Sequence, residues 1–192
     1  MATIGLDRLY YSKITEDSNG EETYATPLVL AKAITAELSV ELVEAILYAD
    51  DGAAEVVKDF NSGTLTLGVD DIGPTAAADL TGSSTDDNGV LIRSASDKPP
   101  YFAVGFMSEK SNGKYRFVWL FKVRAKPVTE SYQTKEGGTV TRQTGEVEWT
   151  AIKRTHDGQY QAVADEGENG FTAELGATFL QSVYTPVFTV TP

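Results

Sequence analysis

Along residues 113 to 126, GKYRFVWLFKVRAK, one alternating set holds Tyr115, Phe117, Trp119, Phe121 and Val123, and the other holds Lys114, Arg116, Val118, Leu120, Lys122 and Arg124. In a strand, successive side chains point to opposite faces, so the two sets occupy opposite sides. One face is wholly apolar, and the other is apolar at its centre and basic at its ends. A strand with one solvated face reads polar along that face. The middle of this strand therefore predicts cover on both sides, from a second layer or a neighbouring subunit.

Other runs repeat the period of two. GTLTLGVD alternates Leu65, Leu67 and Val69 with Thr64, Thr66 and Asp70; PYFAVGFM alternates Phe102, Val104 and Phe106 with Tyr101, Ala103 and Met107; GEVEWTAIK alternates Val147, Trp149 and Ala151 with Glu146, Glu148 and Thr150. Asx-Gly pairs punctuate the chain at Asn19-Gly20, Asp51-Gly52, Asn88-Gly89, Asn112-Gly113, Asp157-Gly158 and Asn169-Gly170. Such dipeptides favour positive φ and tight hairpin turns. Short strands joined this way predict an all-β, mainly antiparallel sandwich or barrel. The candidate core is Leu65, Leu67, Phe102, Val104, Phe106, Tyr115, Phe117, Trp119, Phe121, Val147 and Trp149.

The segment ITAELSVELVEAILYADD fits two periods. Leu38, Leu42, Ala45, Ile46 and Ala49 recur at helical spacing, yet Leu38, Val40 and Leu42 alternate with Glu37, Ser39 and Glu41 until the phase slips at Val43, as in a bulged strand. Asp51-Gly52 follows, then a clear strand, which favours a long hairpin over residues 37–68. One short helix is expected at 74–81, where Pro74 suits the first turn, alanines have high propensity, and Gly82 is placed for a left-handed cap. Pro186 confines the C-terminal residues 183–192 to an edge strand or arm.

With 192 residues the chain suits a single domain, 1–192. It has no cysteine, so disulfides and thiolate chemistry are excluded. No apolar run approaches the roughly 20 residues of a membrane span, which leads to the expectation of a protein made and kept in the cytoplasm with no membrane partner. Residues 1–99 hold 18 acids and 6 bases, and residues 100–192 hold 10 of each, so the first half carries the whole net charge of −12. That balance argues against nucleic-acid affinity, which comes from Lys and Arg displacing counterions from phosphates.

Catalytic chemistry finds no anchor. His156, the single histidine, precedes Asp157-Gly158 in a turn. The pairs Asp50–Asp51, Asp70–Asp71 and Asp86–Asp87 flank turns, where Asp bonds its local backbone. Phosphate-loop, dinucleotide, zinc-protease and nucleophile-elbow motifs are all missing. The chain is expected to be no enzyme and to use no cofactor or metal.

The strand, acidic turn and short helix of GTLTLGVDDIGPTAAADLTG, followed by YFAVGFMSEKSNGKYRFVWLFKVRAKP and TKEGGTVTRQTGEVEWTAIKR, together resemble the major tail proteins that build the tail tube of bacteriophages with long non-contractile tails. IGLDRLYYSKI and LYADDG are similar in kind, and the resemblance covers residues 4 to 160. It implies a β-sandwich flanked by a helix, with six copies closing a ring and rings stacking into a tube through which the genome is ejected. It also implies an N-terminal arm at 1–12 and a virion location after assembly in the host bacterial cytoplasm. The implied partners are further copies of the chain and the tape measure, tail terminator and distal tail proteins, with DNA passing unbound. On that resemblance Glu37, Glu41, Glu44, Asp50, Asp51 and Glu55 become candidate lumen-facing acids, of which only one alternating set can face inward. Leu6, Leu9, Tyr10, Tyr11, Val56, Val57, Phe60, Tyr132, Tyr184 and Phe188 become candidates for subunit or ring interfaces. The alternative is a monomeric β-sandwich module that binds carbohydrate or a cell surface through exposed aromatics.

Overall fold

The computed structural model describes residues 2–16, 21–49, 52–127 and 144–188, the side chains of 16, 45–49 and 52–57 excepted. The chain is all-β, with strands β1 (Thr3–Glu16), β2 (Glu22–Tyr24), β3 (Leu28–Val29), β4 (Ala33–Ala49) and β5 (Gly52–Val69), then helix α1 (Pro74–Thr81). There follow β6 (Ser84–Thr85), β7 (Leu91–Ile92), β8 (Phe102–Lys110), β9 (Tyr115–Ala125), β10 (Gly145–Ala151), β11 (Gln161–Asp165) and a second short helix, α2 (Ala173–Thr178). Among the described residues nine strands make one antiparallel sheet in the order β2-β1-β8-β9-β10-β5-β4, with β11 beside β9 and β3 beside β1. Among the described residues no helix is long and apolar enough to cross a membrane.

The turn chemistry divides by context. Asn112-Gly113 joins β8 to β9, with Gly113 at φ 74°, and Gly52 opens β5 opposite Ala49. Asn88-Gly89 sits between β6 and β7. Asp157-Gly158 instead lies in an excursion between β10 and β11, and Asn169-Gly170 leads from β11 towards α2. Helix α1 starts on Pro74 and stops at Gly82, at φ 70°, whose N–H reaches Asp79 O. A side chain at Gly82 would collide with the Lys98 carbonyl, so glycine is needed there for space as well as for φ.

The ambiguous segment is a strand, paired with β5 from Ala33↔Val69 to Ala49↔Gly52. Its phase slip is a bulge: Glu41 pairs with Ser62 but Leu42 pairs with Phe60, leaving Asn61 over. Tertiary pairing overrides helical propensity here because β5 offers a full-length partner.

The sheet curls around an inner core of Leu9, Tyr11, Leu65, Leu67, Val69, Phe102, Val104, Val118, Leu120, Val147 and Trp149, closed by Leu80 of α1. Residues 30–32 span the opening between β1 and β5: Leu30 N–H donates to Leu9 O, and Lys32 and Asp70 exchange bonds. Residues 3–12, expected as an arm, are the first part of β1 and pair with β8. The pairing shifts between Asp7 and Tyr10, where Arg8 takes φ 53°, and this turns Leu9 and Tyr11 inward.

Candidate functional site

β9 answers the question raised by its sequence. Val118 and Leu120 face the inner core, while Phe117, Trp119 and Phe121 enter a second, outer core. Val104 pairs with Leu120 but Phe102 pairs with Val123, so β9 carries an extra residue there. Val123 and Ala125 therefore turn inward, and Val123 leaves the set it shared with Phe121. Lys122 and Arg124 take the outer side, both over the Tyr101 ring.

The outer cover comes from the same chain. Phe179, Leu180 and Val183, just beyond α2, pack on Ala103, Met107, Phe117, Trp119 and Phe121. Trp119 Nε1 donates to Phe179 O at 2.6 Å, Phe117 stacks on Phe171 with centroids 5.8 Å apart, and Phe179 stacks on Tyr184 at 5.2 Å. Thr172 caps α2 by accepting from Leu175 N–H. At the base, Asp165 accepts from Arg116 Nε at 2.6 Å and from Lys110 Nζ at 2.6 Å. The Arg116 bonds, helped by Lys110 and opposed by burial, hold the Asp165 carboxyl well below the usual carboxylate range.

The rest of the outer face is bare. Cross-strand pairs share a face, so register alone defines its rows. One runs Glu37, Thr66, Glu148 and then Lys126, which pairs with Glu148. The next runs Ser39, Thr64, Thr150 and Arg124. Glu41 joins the same face, accepting from Ser62 Oγ at 3.3 Å. This four-stranded surface carries hydroxyls and carboxylates with its bases confined to β9. Among the described residues no strand is hydrogen-bonded to the outer edge of its border strand β4, which lies near β1 and exposes Ile34, Leu42 and Val43.

The candidate acids thus separate. Glu37 and Glu41 share the bare face, whereas Glu44 sits on the opposite set, pairing with Lys58 at 3.3 Å. Asp50 and Asp51, and the side chain of Glu55, lie outside the described residues. Among the interface candidates, Leu9 and Tyr11 are corrected to core positions at 1% and 3% exposure. Leu6 packs on the inner core, and Tyr10 and Tyr184 pack on the outer one. Phe60 stacks on Tyr160 at 4.1 Å, and Phe188 is exposed. Tyr132 and the side chains of Val56 and Val57 lie outside the description. Of the core candidates, Tyr115 is half-buried and the other ten are buried.

Sequence reading missed the knot at the seam between the covered and bare halves. Glu22 of β2 is buried and accepts from Lys122 Nζ at 3.2 Å and Thr155 N–H at 3.0 Å, with His156 Nδ1 2.6 Å away. Burial would raise this carboxyl, but the Thr155, His156 and Lys122 contacts outweigh it and hold the pKa at about 2. No local signal links Glu22 to residues a hundred positions on. Among the described residues no cluster of three or more His, Cys, Asp or Glu could hold a metal ion.

No protein-family model matches the chain, and no curated protein matches it. Among solved structures, the cryo-EM structure of the anti-feeding prophage cap (AFP tube terminating cap) is similar at 8% identity and a TM-score of 0.40, over 86% of this chain and 93% of that chain. A likeness that distant bears on neither fold nor function.

Proposed function

We propose that this chain is the structural subunit of a bacteriophage tail tube, assembling into stacked rings, with hexamers as the expected ring, around a bore that passes the genome. The observation that carries this reading is the bare outer face bordered by β4, a strand of 17 residues with no strand hydrogen-bonded to its outer edge among the described residues. In a monomer, such an edge with exposed Ile34, Leu42 and Val43 is an aggregation hazard; between copies it becomes an assembly surface. The face beside it suits a bore. Apart from Arg124 and Lys126 at its β9 border, the face carries no cations among the described residues, so transit avoids the salt-sensitive grip that lines of Lys and Arg would impose. Glu37 and Glu41 are the lumen-facing acids on this reading, and the tape measure, tail terminator and distal tail proteins are its further partners. The subunit needs no catalytic centre or cofactor.

Electron microscopy of the concentrated protein tests the reading, with rings or tubes as the expected result. Persistent monodispersity at high concentration would overturn it in favour of a monomeric binding module.

A further inference from the structure

The β4–β5 hairpin outruns the sheet that carries it. β10 pairs with β5 from Val69 to Gly63 and ends there at Ala151, so residues 41–49 and 52–62 continue as a ribbon with no third strand paired to it among the described residues. A lone two-stranded ribbon is marginally stable in water. The stretch where it leaves the sheet is also poorly suited to a strand: Asn61, Ser62 and Gly63 stand there in place of β-branched or aromatic residues, and Asn61 is the residue that the bulge leaves over. Glycine inside a strand costs backbone order and a bulge bends its strand, so the ribbon has a hinge at its root.

Phe60, just past that bulge, lies flat on Tyr160, with ring centroids 4.1 Å apart and planes 8° from parallel. Its partner is firmly held. Tyr160 closes the excursion 152–160, whose two ends are tied to adjacent residues of β9: Ile152 N–H donates to Lys122 O at 2.9 Å, and Phe121 N–H donates to Tyr160 O at 3.0 Å. Within the excursion Arg154 is buried. Its backbone N–H donates to Gln159 O, its guanidinium donates to Asp157 and to Gln159 Oε1, and it lies over the Phe121 ring, 4.1 Å from the centroid. The ribbon therefore rests on a ring fixed to the covered half of the sheet.

We infer that the Phe60–Tyr160 stack is a latch: it braces the hinged ribbon against the body of the chain before any partner is met, and so presets the direction of the outer half of the β4 border. The use of that border rests on the tube reading above, whereas the brace itself does not. Two stacked rings hold by face area and ring electrostatics, so the Tyr160 hydroxyl is dispensable.

Hydrogen exchange of the dilute protein, followed by mass spectrometry, tests the brace. Tyr160→Ala and Phe60→Ala should each speed exchange over residues 42–60 by about tenfold, leave residues 63–69 and the melting transition unchanged, and Tyr160→Phe should match the parent. Because the two rings act through each other, the double alanine variant should also stay near tenfold rather than reach about a hundredfold. Unchanged exchange in Tyr160→Ala, additive effects in the double variant, or faster exchange across the whole sheet would each overturn the latch and leave the tube reading standing. In electron microscopy, tubes of Tyr160→Ala should grow more slowly than those of the parent or of Tyr160→Phe; equal growth would overturn the presetting of the border. If the unaltered protein never forms rings or tubes, the tube reading falls and the exchange result alone decides the brace.

Discussion

The two halves of the outer sheet face differ in what finishes them. Over β8 and the first part of β9, the face is aromatic and residues 171–184 of the same chain close it. Over β4, β5 and β10 it is threonine, serine and glutamate, and nothing within the described chain lies on it. The apolar half draws its cover because each large side chain removed from water contributes about 1.5–3 kcal/mol. The hydroxyl half gains nothing comparable from cover and stays open. The sheet itself is continuous through both, so function is divided by side-chain chemistry laid on one backbone scaffold.

Substitutions can break or sharpen that contrast. The largest effect is expected for Trp119→Ala, which empties a fully buried site and strands the Phe179 carbonyl. Chemical denaturation should show a loss of about 3–5 kcal/mol. A change below about 1 kcal/mol would mean that the cover from 171–184 is not held on the sheet in solution.

Next comes the seam. Glu22→Gln leaves Lys122 buried beside a neutral partner, and about 3 kcal/mol should be lost at neutral pH. The pH dependence gives the sign independently. Because the folded pKa of Glu22 lies at about 2, below its ordinary 4.5, its contribution is present above pH 4.5 and is lost as pH falls towards 2. Acid titration of stability should therefore be steeper in the parent than in Glu22→Gln across that window. Equal slopes would remove Glu22 from the account.

Gly105→Ala comes third. A Cβ there would sit 2.7 Å from the Trp119 ring, so the indole must shift, at about 1–3 kcal/mol by thermal or chemical melting. Smallest of all are changes on the bare half. Thr64→Lys with Thr66→Lys should stay within about 0.5 kcal/mol per site, since both side chains point to the open face. On the proposed tube reading, the same pair places cations on the bore wall. Tubes should form, and genome ejection should slow; unchanged ejection kinetics would deny this face its contact with DNA.

Much of the fold was legible in local chemistry. Period-two runs mark β5, β8, β9 and β10. Asn112-Gly113 marks its hairpin, and Pro74 with Gly82 brackets α1. The apolar centre of both β9 faces announced cover on two sides. The candidate face was legible only in part: that Glu37 and Glu41 share one face and Glu44 takes the other depends on the register between β4 and β5. Leu9 and Tyr11 became interface candidates through the resemblance, and their inward orientation follows a register shift at Arg8 that leaves little trace in composition.

The sequence by itself determined the β class, the turns and which strands have two apolar faces, because alternation and turn preference act between near neighbours. Only the tertiary structure decided who covers each face. The outer cover of Trp119 arrives from residues 60 positions away, Lys122 finds Glu22 from 100 away, and the extra residue in β9 sends Val123 inward. Those outcomes are set by which distant segments can close over the sheet without leaving a polar group unpaired. That competition among distant segments is invisible to any local period.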